Sequence, residues 1–226
     1  RFIRESELRE TQEYKYSDLP YYLLMKYLER YYQVSLDTLV QQHFYASIGA
    51  YTITYNPLNT FDINTIVPTE EDTYFRMQKI HGYVHDQGAA MLGGVSGHAG
   101  VFSTANDVAK MMQLYLNGGS YGGQQYLSSK VIDDFNTCYY CDQNIRRGVG
   151  FDKPQLEESG PTCGCVSMSS YGHSGFTGTF TWADPEKEIV YVFMSNRTYP
   201  SADNKKMVET NLRSNIQAAI YEAIID

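Results

Sequence analysis

Long apolar runs and concentrated basic clusters are both missing from this sequence. No apolar stretch approaches the roughly 20 residues that a membrane-spanning helix requires. The 226 residues include 18 lysines and arginines against 26 aspartates and glutamates, a formal net charge of −8. We therefore expect no membrane span and no nucleic-acid partner.

One kind of nucleophile is missing as well. No serine or threonine in the chain is followed by a lysine three residues later. A serine hydroxyl is a weak nucleophile unless a base lies beside it, and a lysine one helical turn away is one such base. These 226 residues therefore contain no Ser-x-x-Lys nucleophile.

The composition is otherwise that of a globular protein. Apolar residues make up 42% and charged residues 19% of the chain, both ordinary fractions. The length suits one domain or a large part of one.

Tyrosine is unusually frequent, with 21 residues in all. Tyr27 and Tyr31 are four positions apart, so a helix would place them side by side on one face. We expect their rings to be packed, with the hydroxyl groups reaching a partner or water. A platform that binds sugar or peptidoglycan is the alternative.

Two close cysteine pairs leave two chemistries open. Cys138 and Cys141 are separated by two residues, and Cys163 and Cys165 by one. Four thiolates can bind zinc, although Cys-x-Cys is less usual in a structural zinc site. The alternatives are free thiols or disulfides, with three possible connectivities, which export would favour.

His81, His85 and Asp86 form a weaker candidate for metal binding. The two histidines are four residues apart, which suits one face of a helix. No third ligand is anchored nearby in the sequence, so we expect structural or surface roles for these residues.

Helical periodicity is clear early in the chain. Residues 19–32 and 35–45 are predicted helices, with Ser35 capping the second. Residues 50–71 show no period and are rich in asparagine and threonine. This pattern predicts a long loop region of the kind that lines a binding site.

Two more helices are predicted in the middle of the chain. Thr104 and Asp107 resemble a capping box that opens a helix through Leu116, and Gly118 is a stop signal. A short helix follows at about residues 128–135.

The pattern changes to strands near the C-terminal end. Residues 176–182 and 188–195 are rich in aromatic and β-branched side chains, and residues 184–187 supply a turn. This pattern predicts an antiparallel hairpin. Residues 205–225 then predict one helix that covers the sheet with the apolar stripe Val208, Leu212, Ile216, Ala219, Ile220 and Ala223.

Four blocks of sequence are more specific in their order than any one of them alone. They are Tyr14-Lys15-Tyr16-Ser17-Asp18-Leu19, the run from Gly93 to Asp107, Gly148-Val149-Gly150-Phe151-Asp152, and the segment from Gly172 to Arg197. In this order the chain resembles class C-type β-lactamase-related serine hydrolases, a family that includes β-lactamases, D-Ala-D-Ala peptidases and esterases. The resemblance runs from about residue 13 to residue 225.

The resemblance implies catalytic roles for three residues. Tyr16 would shuttle a proton between nucleophile and leaving group. Asp18 would stand where the family usually has asparagine, and an ionised carboxylate only accepts hydrogen bonds, whereas an amide also donates them. His173 would replace the lysine of the Lys-Thr-Gly motif, so a fixed positive charge is exchanged for a group that is mostly neutral at pH 7.

Substrate contacts follow from the same resemblance. Ser174, Gly175 and Phe176 would line the substrate, and the Phe176 N–H would be one oxyanion donor. Considered individually, both motifs have simpler explanations. Tyr16-Ser17-Asp18 is typical of a helix N-terminus, with Pro20 in the first turn, and His-Ser-Gly is typical of a turn.

The expected fold is an α/β (α+β) sandwich of β-lactamase/transpeptidase type, an antiparallel sheet flanked by helices with the N-terminal part of the fold missing. Residues 1–226 would be part of one domain, with a helical and loop region at 13–170 and the sheet hairpin and final helix at 171–226. The hairpin would then have an uncovered edge and an exposed apolar face. Such an edge favours a homodimer or pairing with the missing part.

The resemblance also implies a function and a setting. The parent protein would hydrolyse cell-wall-type amides or esters through an acyl-enzyme, without cofactor or metal, outside the cytoplasm and in the bacterial periplasm. The blocks look closest to β-lactamase-like domains fused to family 3 glycoside hydrolases. A non-catalytic cell-wall or glycan-binding module is the alternative, and a thiol or zinc protein is a third reading.

Overall fold

The computed structural model describes residues 2–11, 13–156 and 160–224. Its helices, in chain order, are α1 (Phe2–Glu5), α2 (Leu19–Tyr32), α3 (Leu36–Val40), α4 (Gln87–Met91), α5 (Ala105–Leu116), α6 (Ser129–Asn136), α7 (Lys206–Glu209) and α8 (Leu212–Glu222). Its strands are β1 (Thr54–Tyr55), β2 (Pro68–Asp72), β3 (Gln78–His81), β4 (Val101–Phe102), β5 (Ser120–Tyr121), β6 (Gln124–Gln125), β7 (Tyr171–Ser174), β8 (Phe180–Asp184) and β9 (Ile189–Phe193).

The first two predicted helices are confirmed. Helix α2 has a proline in its first turn and ends at Gln33, whose positive φ of 56° turns the chain away from the helix. Helix α3 continues as a π-helical turn, Gln41–Tyr45, so the helical segment ends where the periodicity predicts. Ser35 is at the N-cap position, but its hydroxyl donates to Thr38 Oγ1 and makes no capping bond to the backbone.

The centre of the fold is a three-stranded antiparallel sheet in the order β7-β8-β9. On one face, Met112 of α5 packs against Tyr171 and Ala183. On the other face, Phe180 and Trp182 form a second buried cluster that Ile216 of α8 covers. The faces of the hairpin are therefore covered rather than exposed, contrary to the expectation. Within the described residues, β9 still lies at an edge of the sheet.

The start of the hairpin was predicted incorrectly. Residues 175–179 form a tight turn rather than a strand, closed by the Gly175 N–H, which donates to the Thr179 carbonyl at 2.8 Å. Gly178 has φ of +106°, a backbone conformation that favours glycine. Strand β7, which precedes this turn, was not predicted. The turn between β8 and β9 is confirmed.

The single C-terminal helix was also predicted incorrectly. It is broken at Asn211, which has φ of 49°. Gln217 is fully buried, whereas Val208 and Leu212 of the predicted apolar stripe are exposed. Polar anchors set this rotation, because the Gln217 Oε1 accepts the Cys163 N–H at 3.0 Å and the Tyr221 hydroxyl donates to Asp184 at 2.7 Å.

The predicted loop region is more ordered than its sequence indicates. From Pro68 onward it forms β2, which pairs antiparallel with β3. The carboxylate of Asp72 accepts the backbone N–H groups of Tyr74, Phe75 and Arg76, and so organises the turn between these strands. The turn depends on side-chain chemistry, which a search for apolar periodicity does not detect.

The predicted capping box at Thr104 does not form. Thr104 occupies the N-cap position of α5 without a side-chain capping bond. Asp107 instead accepts from the Thr52 N–H at 2.8 Å and pairs with Lys110 at 2.8 Å. The acidic residue thus ties α5 to the segment before β1.

The cysteines form two short-range disulfides, Cys138–Cys141 and Cys163–Cys165. This pairing excludes a four-thiolate zinc site in the structure. In the part of the chain that the structure describes, no helix is both long enough and apolar enough to cross a membrane.

Candidate functional site

Tyr16 lies two residues before the N-cap of α2, and 58% of its surface is exposed. Ser17 performs the local capping, because its Oγ accepts the Leu19 N–H at 3.2 Å. The simple explanation of this motif as a helix start is therefore correct for Ser17. It leaves the side chains on either side of Ser17 available for other contacts.

The structure brings Tyr16 and His173 together. Their ring centroids are 6.3 Å apart, although 157 positions separate the residues in sequence. His173 is in β7, where it pairs with Thr181 of β8. The candidate proton shuttle and the candidate replacement for the family lysine thus lie near each other at the end of the sheet.

Arg147 joins these two residues and was not among the residues predicted from sequence. Its guanidinium carbon lies 5.2 Å from the Tyr16 ring centroid, and its Nη1 lies 3.1 Å from His173 Nε2. A guanidinium is always protonated and only donates, so His173 Nε2 must be the acceptor. The imidazole proton is then on Nδ1, which donates to the Ser174 carbonyl at 2.8 Å.

Arg147 is positioned at the site by the segment 146–152, which ends at Asp152. Asp152 exchanges two backbone hydrogen bonds with Gly172, at 2.8 and 3.1 Å, so this segment runs beside β7. The buried Asp152 carboxylate also pairs with Arg147 at 3.4 Å and with Arg146. The signal available in the sequence was the position of Arg146-Arg147 directly before the Gly148-to-Asp152 block.

The turn after β7 presents the remaining predicted residues. Ser174 ends the strand opposite Phe180, and Gly175 packs so closely that a Cβ there would lie 2.2 Å from Thr179 Oγ1. Phe176 is 64% exposed. Within the described residues its N–H has no hydrogen-bond partner, as an oxyanion donor requires before substrate binds.

Two further residues support the Phe176 turn. Arg197 was not predicted, and His85 was named only as a weak metal candidate with an expected structural or surface role. Arg197 donates from Nε to the Phe176 carbonyl at 2.8 Å, and its guanidinium lies 4.5 Å from the ring centroid. The His85 ring lies on the Phe176 ring at 5.1 Å. His85 Nε2 is 3.2 Å from Glu70 Oε2, close enough for an ion pair but poorly aligned for a hydrogen bond.

The surroundings of the Tyr16 hydroxyl raise its pKa. Burial is the main cause that raises the pKa of Tyr16 above its usual value, and the Asp18 carboxylate raises it further. Arg147 has the opposite effect. Like any tyrosine whose pKa is not lowered, Tyr16 is a phenol at neutral pH and can donate a proton or a hydrogen bond.

Asp18 is oriented toward different partners. One of its carboxylate oxygens lies within 4.8 Å of a carboxylate oxygen of Asp86 and of a ring nitrogen of His98. It neither caps α2 nor forms a hydrogen bond with Tyr16 or His173.

The predicted histidine pair does not come together as a metal site. His81 Nε2 contacts the Ile66 carbonyl at 2.6 Å, while His85 is beside Glu70. His81 is in β3 rather than in a helix, so the spacing of four residues does not place the pair on one face.

Known proteins resemble the chain over most of its length. The family model described as Beta-lactamase matches residues 2–213. A candidate D-alanyl-D-alanine carboxypeptidase of Escherichia coli O157:H7 is 35% identical over 225 residues, which covers 93% of this chain and 51% of the relative. One from Salmonella enteritidis is 33% identical, with 93% and 52% covered. The chain thus spans about half the length of these curated relatives.

Solved structures agree on the fold. A β-lactamase from Mycobacterium bovis has a TM-score of 0.59 at 17% identity, covering 92% of this chain and 63% of that structure. The hydrolase EstCE1 has a TM-score of 0.60 at 16% identity, covering 93% and 56%. Such identities establish the fold alone, but the family model covers nearly the whole sequence. The expected β-lactamase/transpeptidase-like architecture is confirmed, and the chain belongs to the beta-lactamase family.

Proposed function

We propose that this chain supplies the proton-transfer and substrate-binding part of a serine acyl-transfer site that acts on cell-wall-type amides or esters. One observation carries the proposal. Arg147 contacts both Tyr16 and His173, and this trio lies at the end of the strand that leads to the Phe176 turn. Tyrosine, cation and oxyanion donor are the groups that acyl transfer requires around a serine.

Tyr16 is the proton carrier in this proposal. A serine that attacks a carbonyl must lose its proton, and the leaving group must gain one. A tyrosine with an ordinary pKa of about 10 is a phenol at neutral pH, and the pKa of Tyr16 is raised further. The Tyr16 oxygen would receive the proton of the serine as its own proton passes to the leaving group, so Tyr16 ends the step as a phenol.

Arg147 takes over the fixed positive charge of the family's Lys-Thr-Gly lysine. His173 accepts the Arg147 N–H at Nε2 and therefore presents no positive charge of its own while that contact persists. The guanidinium can pair with an anionic group of a substrate. His173 holds this cation beside Tyr16 and donates to the Ser174 carbonyl.

The Phe176 N–H is the proposed oxyanion donor, and the N–H of the nucleophilic serine would be the second. Gly175 permits the close packing of this turn, and Arg197 holds the Phe176 carbonyl on the opposite side of the residue. Ser174, Gly175 and Phe176 would then line the acyl group of the substrate.

The nucleophile itself would come from outside these 226 residues, which contain no Ser-x-x-Lys. Relatives about twice as long support this proposal. Their description as carboxypeptidases supports a D-alanyl peptide of the cell wall as substrate. The two disulfides fit an extracytoplasmic, periplasmic location. Fusion to a glycoside hydrolase and formation of a homodimer stay predictions.

Covalent labelling tests the proposal. The 226-residue chain and a longer form that includes any upstream Ser-x-x-Lys are incubated with a fluorophosphonate and, separately, a penicillin, and their intact masses are measured. We expect an adduct on the longer form alone. An adduct on the 226-residue chain would place the nucleophile elsewhere and contradict the assignment.

A matched pair of variants tests the role of Tyr16 in the longer form. Tyr16→Phe removes the proposed proton carrier, whereas Tyr14→Phe alters a tyrosine of similar exposure two residues earlier. We expect labelling to slow by roughly 100-fold or more in the first variant and to be unchanged in the second. Equal rates would remove Tyr16 from the mechanism.

The non-catalytic binding module remains the second candidate. The observation that favours it is the orientation of Asp18 toward His98. Asp18 stands where the family usually has asparagine, and in this orientation it would take no part in acyl transfer. A longer form that binds a muropeptide in a calorimeter but forms no adduct with either reagent would support it over the hydrolase.

A further inference from the structure

Asp18, Asp86 and His98 form a compact cluster of metal-ligating groups. One carboxylate oxygen of each aspartate and a ring nitrogen of the histidine all lie within 4.8 Å of one another. The residues come from three separate parts of the chain: the start of α2, the start of α4 and the loop before β4.

His98 is held in the orientation that a ligand requires. Its side chain is 5% exposed, and Nδ1 lies 2.9 Å from the hydroxyl of Ser96, itself 1% exposed. Metal-binding histidines commonly use one ring nitrogen for such an anchoring bond and the other for the metal. Here Nε2 is the second nitrogen, and it lies 2.8 Å from Asp86 Oδ1.

Among the described residues, the Asp18 carboxylate has no other bonding partner that would explain its position. It occupies the N-cap position, but its αR backbone conformation is not that of a capping residue, and its carboxylate forms no capping bond. Ser17 accepts the Leu19 N–H instead. The Asp18 side chain forms no hydrogen bond or ion pair within the described part of the chain.

The cluster carries more negative than positive charge. No lysine or arginine of the described residues pairs with Asp18 or Asp86, and His98 is the one basic group in contact with Asp86. Asp86 Oδ1 accepts the Ala89 N–H at 2.7 Å and contacts His98 Nε2, whereas the Asp18 carboxylate has no such partner within the described residues, so a cation between the two carboxylates would remove their mutual repulsion. The Tyr22 hydroxyl closes one side of the cluster, 3.4 Å from His98 Nε2.

We propose that Asp18, Asp86 and His98 bind one divalent cation, for which zinc is the best match. Zinc accepts imidazole nitrogen and carboxylate oxygen together, and three protein ligands leave a fourth position for water. The proposal is independent of the acyl-transfer proposal. It assigns Asp18 a role that the family resemblance did not predict, and it replaces the expectation that the chain holds no metal.

The bound ion would also position Tyr16. Asp18 is two residues after Tyr16, and the other ligands belong to α4 and to the 96–100 loop, so the ion would fasten the start of α2 to the rest of the fold. This link would add to the contact that Tyr22 of α2 makes with His98, and it would hold Tyr16 near Arg147 and His173.

The direct test is calorimetric titration of ZnCl₂ into the EDTA-treated, dialysed chain, with the disulfides kept oxidised so that no thiols compete for zinc. We expect one zinc per chain and a rise in the thermal unfolding midpoint. Asp18→Asn and His98→Gln should each weaken binding at least about tenfold. Asp203→Asn and His43→Gln, at exposed positions outside the cluster, should bind as the unchanged chain does.

Asp18→Asn separates lost binding from lost folding. Since the Asp18 carboxylate makes no hydrogen bond, the variant without zinc should unfold at the same temperature as the unchanged chain or above it, because one carboxylate repulsion is removed. The zinc-induced rise should disappear in this variant. Titration with Co²⁺ supplies a second readout, the visible absorption of protein-bound cobalt.

Two results would overturn the proposal. One is an unchanged chain that binds no zinc at millimolar concentration. The other is zinc binding that survives undiminished in both Asp18→Asn and His98→Gln, since the ion would then be held elsewhere.

Discussion

Arg147 is the residue on which the candidate site depends. It contacts the Tyr16 ring, donates to His173 Nε2 and is anchored by the buried Asp152. Asp18 carries the opposite charge two residues from Tyr16. The two charged groups act on the Tyr16 hydroxyl in opposite directions, because a cation favours phenolate and an anion disfavours it.

This opposition gives a prediction for the pKa of Tyr16. In the zinc-free chain, Arg147→Gln should raise it and Asp18→Asn should lower it, because each change removes one of the two opposing charges. NMR titration of protein labelled with ¹³C at tyrosine Cζ measures both shifts. Arg146→Gln is the control, since Arg146 pairs with Asp152 without contacting Tyr16. Shifts of the same sign in Arg147→Gln and Asp18→Asn would contradict the arrangement.

At the scale of elements, α8 shows how polar anchors decide the orientation of a helix. Of the predicted apolar stripe, Ile216 packs on the sheet, whereas Val208 and Leu212 are exposed. Gln217 and Tyr221 supply the hydrogen bonds to the cysteine loop and to β8. Asp184, which accepts from Tyr221, also receives the Ser167 N–H at 2.9 Å. The helix therefore closes a buried hydrogen-bond network at the end of β8.

Removing the Tyr221 hydroxyl should weaken this attachment. Tyr221→Phe deletes the bond to the Asp184 carboxylate, and a hydrogen bond to a charged acceptor contributes about 1.5–3 kcal/mol. We expect the free energy of unfolding in urea to fall by that amount. Tyr31→Phe, at a position 68% exposed, is the control and should change it by less than about 0.5 kcal/mol. Equal losses would show that the bond does not stabilise the fold.

The tyrosines of helix α2 pack on each other but are not buried, contrary to the expectation that their rings would be packed into the fold. The rings of Tyr27 and Tyr31 stack on each other with centroids 6.1 Å apart, yet they are 62% and 68% exposed. Leu23 and Leu24 on the same helix are each 53% exposed. The exposed apolar surface that was expected on the hairpin is therefore found on α2.

At the scale of the whole molecule, the exposed surface of α2 leads to a prediction of self-association. Apolar patches of this kind tend to be covered by another surface. We expect light scattering after size-exclusion chromatography to give a mass above that of one chain at high concentration. Leu24→Glu combined with Tyr27→Glu should restore the mass of a single chain, whereas Val67→Glu, another exposed apolar position, should not. A compact monomer at all concentrations would contradict this.

Stability at alkaline pH depends on a buried amine. Lys153 is 5% exposed, and its Nζ donates to Asn136 Oδ1 at 3.0 Å and to the Ser169 carbonyl at 2.9 Å. Burial lowers the pKa of Lys153 from 10.5 to about 8. Between these two values the unfolded chain binds a proton that the folded chain has lost, so stability rises with pH in this window.

The expected rise in the free energy of unfolding from pH 8 to pH 9.5 is about 1–2 kcal/mol. It should be absent in Lys153→Met, whatever the absolute stability of that variant. Denaturant unfolding at several pH values measures the slope. Lys130→Met, which removes an exposed lysine, should keep the slope of the unchanged chain. A flat profile in the unchanged chain would contradict a lowered pKa for Lys153.

Local chemistry explains which elements could be predicted. The helices α2, α3, α5 and α6 follow from apolar spacing and end signals, which act within a few residues. Two of the predictions that were wrong depended on distant partners. Asp107 accepts a hydrogen bond from Thr52 instead of capping α5. The orientation of α8 is set by its hydrogen bonds to Cys163 and Asp184.

The sequence by itself determined the family, the order of its motifs, the absence of a Ser-x-x-Lys nucleophile from these residues, and the side chains of Tyr16 and His173 as candidates. Only the tertiary structure placed Arg147 between them and turned Asp18 toward Asp86 and His98. The physical reason is distance along the chain. Periodicity and caps report on neighbours, whereas both clusters join residues that are brought together by the pairing of strands and the packing of helices.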